Sequence, residues 1–318
     1  MASQGYNAIF SKGIMKQLLL SLPYYPPTYP EFMHVDDMDS GYVDHQQWEG
    51  YPLPGKRYPG QAVKSGQFRQ SFPKRYVPDG YGLLDSFPRE DIKDDLYGLI
   101  HDVIPRRGGL YAESFASLPD IQTAGMYIYY GFAAGNIPYG SDNLSLFNNA
   151  HPFALYNQTQ TWSNRPSVDV DLTVSTYHAA WTNLATQKAP NNIQYLKNRP
   201  QCLVMHPNQR QVAEQVLHQQ WERDTSDRNT NIIVRDNVKL ILWPYFTSSG
   251  SVGATYNPPS YNSWMIFGQR HWNRFFWRDT YDVQHQSDIL TNSELIAAFV
   301  RFAYGWDNPY GCYGSLGL

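Results

Sequence analysis

The stretch from Gly50 to Gly66 constrains this chain more than any other. It is rich in Gly, Pro and Tyr, it carries the basic residues Lys56, Arg57 and Lys64, and its apolar positions follow neither a strand nor a helix period. Such a segment cannot enclose a core of its own. Ordering a backbone costs about 1–2 kcal/mol per residue, so a loop of about 25 residues needs tens of kcal/mol of compensation. A fully buried aromatic side chain returns roughly 1.5–3 kcal/mol. Tyr51, Tyr58 and Phe68 can therefore stabilise the loop only against some other surface. Either the segment is disordered in a free monomer, or it lies on a neighbour.

The residues before it are also unusual. Ile9, Phe10, Ile14, Leu18 and Leu22 fall on one helical stripe. Pro23 to Pro30 interleaves prolines with tyrosines and reads as extended, near polyproline II. Ile14 to Leu22 is too short an apolar run for a membrane span, and Pro23-Tyr24-Tyr25-Pro26-Pro27 is a poor signal-peptidase site. The expectation is a protein that is neither secreted nor held in a membrane.

Composition narrows the function classes. Aromatic residues make up 15% and charged residues only 17%, with 25 Tyr and 9 Trp. Tyr and Trp give large contact area with a polar tip, so they suit either a large core or a surface built for partners. The net charge of −3 excludes the strongly basic face of a tight nucleic-acid binder. The two cysteines, Cys202 and Cys312, cannot make a disulfide framework, and Cys202 sits in the apolar run Cys202-Leu203-Val204-Met205, where a buried inert thiol is expected.

Further along, Phe68 to Phe87 reads as two strands around the turn Pro78-Asp79-Gly80. A helix is expected from Pro88 and the acidic turn after it, with Ile92, Leu96, Leu99 and Val103 on one face. Pro105 and Gly108-Gly109 should interrupt it before helical character resumes over Leu110 to Phe132. Thr173 to Lys188 reads as a helix, Gln201 to His206 as a strand, and Pro207 opens a helix to about Trp221. Val238 to Trp243 and Ser263 to Phe267 are strands on either side of a Ser/Gly/Asn/Pro loop, Thr247 to Tyr261. Asn273 to His285 and Glu294 to Trp306 are long strands. The pattern is α+β.

Motifs that would carry chemistry are missing or weak. None of the nine histidines forms an H-x-x-x-H or H-E-x-x-H pair, and no CxxC, G-x-S-x-G, G-x-x-x-x-G-K-[ST] or G-x-G-x-x-G is present. No metal, cofactor or catalytic residue is expected. Asp169-Val170-Asp171 has the form of a metal–nucleotide D-x-D, but Asp171 is better read as part of a helix N-terminus. His151, before Pro152, is expected to bond backbone in a turn.

Three segments carry a family likeness. Ser145-Leu146-Phe147-Asn148-Asn149-Ala150-His151-Pro152 followed by Trp162-Ser163-Asn164-Arg165-Pro166 resembles the "LF-x-x-x-HP … SN" segment of tailed-phage major capsid proteins, in the branch of the Mu-like major head subunit. Glu90 to Gly98 resembles the acidic start of that family's spine helix, and Arg301 to Gly311 resembles its terminal "R-x-x-x-G-W-x-D/N-x-x-G" segment. The likeness runs over roughly Glu90 to Ser315; the first 80 residues match in character only.

The resemblance implies an HK97-like capsid fold. Its parts would be an N-terminal arm over residues 1–40, an extended E-loop over 41–75, a peripheral domain with the spine helix over 76–165 and 265–318, and an inserted A-domain over 166–264. It implies a homo-oligomer of hexamers and pentamers in an icosahedral virion shell around double-stranded DNA held by weak non-specific contact. Scaffold, portal or decoration proteins would be further partners, and assembly would take place in the host cytoplasm. Tyr51, Tyr58, Phe68, Lys56 and Lys64 on the E-loop, and Phe246, Tyr256 and Tyr261 near the capsomer centre, are the expected contact residues. Some shells of this fold join an E-loop lysine to a neighbour's asparagine, a role open here to Lys56 or Lys64 with Asn308. The alternatives are an encapsulin-like compartment of the same fold, and an aromatic-rich carbohydrate-binding protein or glycosidase. The second would need a carboxylate pair that the sequence gives no reason to name.

Overall fold

A long β-hairpin forms the structural backbone of this computed structural model, which describes residues 13, 16–63, 65–88, 90, 94, 99–133, 137–219, 230–246 and 261–317. The hairpin pairs β10 (Asn273–Asp288) with β11 (Ser293–Trp306), antiparallel. β1 (His34–Asp37) joins β10 in parallel and β4 (Asp79–Pro88) joins β11 antiparallel, giving the order β1-β10-β11-β4. The first and last parts of the chain therefore meet in one sheet, as expected. The hairpin is bulged between Trp277 and Asp282, where Tyr281 takes a φ of 32°.

Against this sheet lies α1 (Leu99–Gly125), which continues into a π-helical turn, Met126–Tyr130. The sequence suggested an interruption at Pro105 and Gly108-Gly109, but the helix runs through all three. At Gly109 a Cβ would stand 3.9 Å from Ser21 Oγ, an ordinary contact, so the helical turn at residues 16–21 packs beside the helix without requiring a glycine there. Most of the acidic helix start, 89–98, lies outside the described residues.

The second sheet has the order β12-β9-β7-β8, from β7 (Pro200–Met205), β8 (Lys239–Leu242), β9 (Trp264–Gly268) and β12 (Cys312–Ser315). Cys202, Leu203, Val204 and Met205 are all buried, as are Trp264 to Phe267, which fits strands covered on both faces. Burial pushes the Cys202 thiol up to about 12, so it stays protonated and inert. α2 (Val174–Thr186) buries Tyr177, Ala180 and Leu184, and α3 (Arg210–His218) buries Ala213, Val216 and Leu217, in one cluster with this sheet. The cap of α2 is Thr173, in a reciprocal capping box with Thr176, and not Asp171. His206 caps the 3₁₀ turn Pro207–Gln209 that leads into α3, its Nδ1 accepting from Asn208 N at 3.2 Å. α3 stops at His218, short of the expected Trp221. Gly311, with φ of +78°, turns the chain from β11 to β12; a Cβ there would lie 2.1 Å from Arg270 O.

The N-terminal segment departs most from expectation. Residues 22–31 form two 3₁₀ turns, Leu22–Tyr24 and Tyr29–Glu31, in place of polyproline II. Each has Pro in its first two positions, where the fixed φ suits a helical start. The buried Asp120 carboxylate on α1 holds the second turn, accepting from Thr28 N at 2.9 and 3.0 Å and from Tyr29 N at 2.9 Å. Burial raises the pKa of Asp120, and the amide donors oppose that rise. Leu18, Tyr29, Phe32 and Met33 are buried in the main core. Over the described residues, the expected arm is thus part of this chain's own body.

The segment that carries the family likeness is a structural knot. β5 (His151–Ala154) and β6 (Asn157–Trp162) form a small hairpin. His151 bonds backbone as expected, Nε2 facing Leu146 O at 3.2 Å, and it also pairs with buried Asp142, Nδ1 to Oδ2 at 2.7 Å. Asn164 is fully buried. Its Nδ2 donates to Leu146 O at 2.6 Å and Pro309 O at 3.3 Å, its Oδ1 accepts from Asn148 N at 2.9 Å, and its backbone O accepts from Gly314 N at 3.2 Å. The Asn164 side chain therefore ties the connector to Pro309, and its backbone carbonyl ties it to β12.

Two stability outcomes follow. Asp120→Ala leaves two buried N–H groups without their acceptor and should cost roughly 2–4 kcal/mol, with Asp120→Asn costing less because one acceptor oxygen remains. Asn164→Ala should cost about 2–4 kcal/mol by removing the side-chain partners of Asn148 N and Pro309 O and one of the two partners of Leu146 O. Urea unfolding midpoints at a fixed slope check both; a loss below about 0.5 kcal/mol contradicts the assigned roles.

Candidate assembly site

β2 (Val43–Trp48) and β3 (Gln70–Tyr76) form an antiparallel pair that supports a long excursion of the chain. Its root is fixed by one carboxylate. Asp307 accepts from Tyr76 Oη at 2.6 Å on one oxygen, and from Arg274 Nε at 3.1 Å and His45 Nδ1 at 3.0 Å on the other. Arg274 also reaches Asp36 at 3.1 Å. Beside it, Lys74 bonds Pro138 O and faces the Tyr76 ring, and burial pulls its amine down to about 8. The loop thus leaves a rigid base.

Beyond the base the chain finds little cover. Residues 51–63 and 65–70 are all exposed. Trp48 stacks on Phe68 at 4.4 Å and Tyr51 stacks on Phe68 at 5.2 Å, which closes the neck of the loop. Gly66 lies against Tyr51 and Pro52, a Cβ there being 3.3 Å from each. At the tip, Gln61 N donates to Tyr58 O at 3.1 Å across Pro59-Gly60, with Gly60 at φ +86°, the residue pair that a type II turn prefers. The rings stay half in solvent: Tyr51 is 59%, Tyr58 53% and Phe68 49% exposed. Lys56 sits over the Tyr58 ring at 4.9 Å. Asn191 Nδ2 donates to Tyr51 O at 3.2 Å, which ties the loop's neck to the body.

Other expected contact residues are scattered. Phe246 is a core residue, 2% exposed and packed with Trp243, so it is corrected from the contact set. Tyr261 is 44% exposed, with its ring 4.8 Å from that of His206. Lys64, Tyr256 and most of the loop Thr247 to Tyr261 lie outside the described residues. Asn308 is buried at 6% exposure and its Oδ1 accepts from Tyr310 N at 3.2 Å, so it does not stand on an open surface where a crosslink acceptor was expected. Asp169 of the D-x-D is engaged by Arg165 at 2.6 and 3.0 Å. Among the described residues no three His, Cys, Asp or Glu side chains are grouped to hold a metal, and no helix is long and apolar enough to cross a membrane.

Sequence reasoning missed two features. The tip of the β10–β11 hairpin exposes Ile289 at 93% and Leu290 at 96%, and the neighbouring Asp288 and Asn292 were the available turn signal. Leu83 and Leu84 on β4 are also exposed, at 45% and 61%.

No family model matches the sequence, and no curated protein matches it. Solved structures do. A chain of Microbacterium phage Oxtober96 aligns with a TM-score of 0.56 at 10% identity, over 91% of this chain and 90% of that one. The capsid structure of the cyanophage P-SCSP1u aligns with a TM-score of 0.53 at 9% identity, over 91% of this chain and 88% of that one. The mature capsid of bacteriophage PhiM1 aligns with a TM-score of 0.50 at 11% identity, over 89% of this chain and 84% of that one. At such identities the likeness speaks to fold alone, and on it this chain has the α+β, HK97-like fold of phage capsid subunits.

Proposed function

We propose that this chain is the major capsid protein of a tailed phage or prophage, assembling as hexamers and pentamers into an icosahedral shell around double-stranded DNA. The observation that carries the reading is the exposed aromatic excursion on a rigid root. A segment that leaves Tyr51, Tyr58 and Phe68 half in solvent gains its missing contacts on a sister copy. The capsid fold of the structures it aligns with supports the same conclusion. The placement in the Mu-like branch rests on the sequence motifs.

Each contact in such a lattice is modest, but every subunit touches several others, and simultaneous engagement multiplies the strength. Capsomer rings require a heterologous interface that closes on itself. The loop around Tyr256 and Tyr261 serves that interface at the capsomer centre, and the β1-β10-β11-β4 sheet, with its Ile289-Leu290 tip, faces neighbouring capsomers. The near-neutral charge suits a container, because strong phosphate contacts would hold DNA against entry and exit. Scaffold, portal or decoration proteins complete the particle, which assembles in the host cytoplasm.

Negative-stain microscopy of the purified protein, beside size-exclusion chromatography, should give shells, tubes or capsomer rings; a stable monomer under all conditions would overturn the reading. Replacing residues 52–66 with a short Gly-Ser linker should shift Tm by less than about 4 °C while abolishing closed shells. Closed shells from that variant would contradict the role given to the loop.

A further inference from the structure

Two imidazoles meet where β1 joins the first sheet. His271, in the turn between β9 and β10, is 7% exposed, and its ring stacks on that of His34 at 4.6 Å and 20°. On another side it meets the Phe267 ring at 6.1 Å. His34 Nε2 donates to His271 O at 3.3 Å, which holds the covering ring in place. The Nδ1 of His271 is buried without a hydrogen-bond partner. A neutral imidazole can present a bare lone pair there, but an imidazolium cannot, since both of its nitrogens carry N–H.

Protonating His271 in place would therefore strand a donor in a site that offers no acceptor. The surrounding charges give no relief. His34 on β1 and Arg274 on β10 both disfavour a further positive charge, and the β9 side is the apolar Phe267 ring. The carboxylates at this edge are committed to Arg274: Asp36 of β1 takes it at 3.1 Å, and Asp307 takes it at 3.1 Å while also accepting from Tyr76 and His45. Burial first, then His34 and Arg274, pull the His271 ring down to about 4. β1 is poorly placed to resist an opening. His34 to Asp37 are all exposed, so none of its side chains anchors it, and the strand is pinned at its ends by Met33 and Met38, 5% and 2% exposed. Segments with few buried contacts open locally at low cost.

We propose that the His34–His271 stack is an acid-sensitive latch: the neutral pair holds β1 on β10, and in mild acid His271 takes its proton only when β1 lifts, so this edge strand frays ahead of the rest of the fold. Linkage sets the direction. The closed form binds the proton more weakly than the open one, so the latch is intact above the ordinary histidine value of 6.5 and is lost as pH falls toward 4. β1 links the core residues Tyr29, Phe32 and Met33 to β2 at the root of the loop, so its release uncouples the two. The latch belongs to a single subunit and does not depend on the shell reading.

Hydrogen exchange of the full-length, disassembled subunit at about pH 7.5 and about pH 5, expressed as protection factors, tests the latch. Residues 34–38 should lose protection roughly tenfold or more at the lower pH while β9 keeps its own. His271→Phe keeps an aromatic ring against His34 and Phe267 but takes no proton, so its residues 34–38 should change less than about twofold over the same range. His45→Gln should respond as the wild type does. A smaller loss in the wild type, an equal loss in a folded His271→Phe chain, or a response that vanishes in His45→Gln overturns the inference. Should His271→Phe fail to fold, the ring C2–H proton resonance of His271 in the wild type decides: a titration midpoint below about 5.5 supports the latch, and one at or above it overturns it.

Discussion

The whole arrangement depends on where one ring sits. Phe32 is 1% exposed and stacks on Phe267 of β9 at 5.4 Å, nearly parallel at 7°. It meets Trp243, just after β8, at 5.0 Å and Tyr127, in the π-helical turn after α1, at 5.6 Å, both edge-on. Three distant parts of the chain therefore share one aromatic joint, and such pairs add roughly 0.5–1.5 kcal/mol each beyond their buried area. Tyr29, stacked on Phe275 of β10 at 4.3 Å, extends the joint to the first sheet. Asp120 fixes the backbone that delivers both rings. Remove the joint, and the N-terminal segment has no reason to lie down.

That joint divides the molecule into what is finished and what is not. The body satisfies itself: the rings of residues 29–33 go inward, Asn164 and His151 lock the connector, and Asp307 braces the root of the loop. Residues 51–70, where described, satisfy little. On the proposed reading, such a subunit keeps its own body and gains by meeting its copies.

Much of this was legible in the sequence. The strands at Gln201 to His206, Val238 to Trp243 and Ser263 to Phe267 follow from short apolar runs, and the long terminal strands from alternation. The aperiodic loop declared itself by its composition. The N-terminal segment misled, because local pattern shows only that Tyr29 and Phe32 need cover; Phe275 and Phe267 supply it, and the backbone is held by a carboxylate 91 residues away in sequence from Tyr29. The same blindness applies to α1, where local rules put a break at Gly108-Gly109 while the helix, packed on the main core through Tyr111, Ala112 and Phe115, runs through them. Phe246, expected near the capsomer centre, is core, because it packs on Trp243 within the main cluster, and only the tertiary fold shows that cluster.

Hydrogen exchange, followed by mass spectrometry on the free subunit and on assembled particles, tests the division directly. The amides of residues 18–38 should be protected in both states, and those of 51–70 should exchange freely in the subunit and become protected on assembly. Protection of 51–70 in the free subunit, or free exchange of 18–38 there, would contradict it.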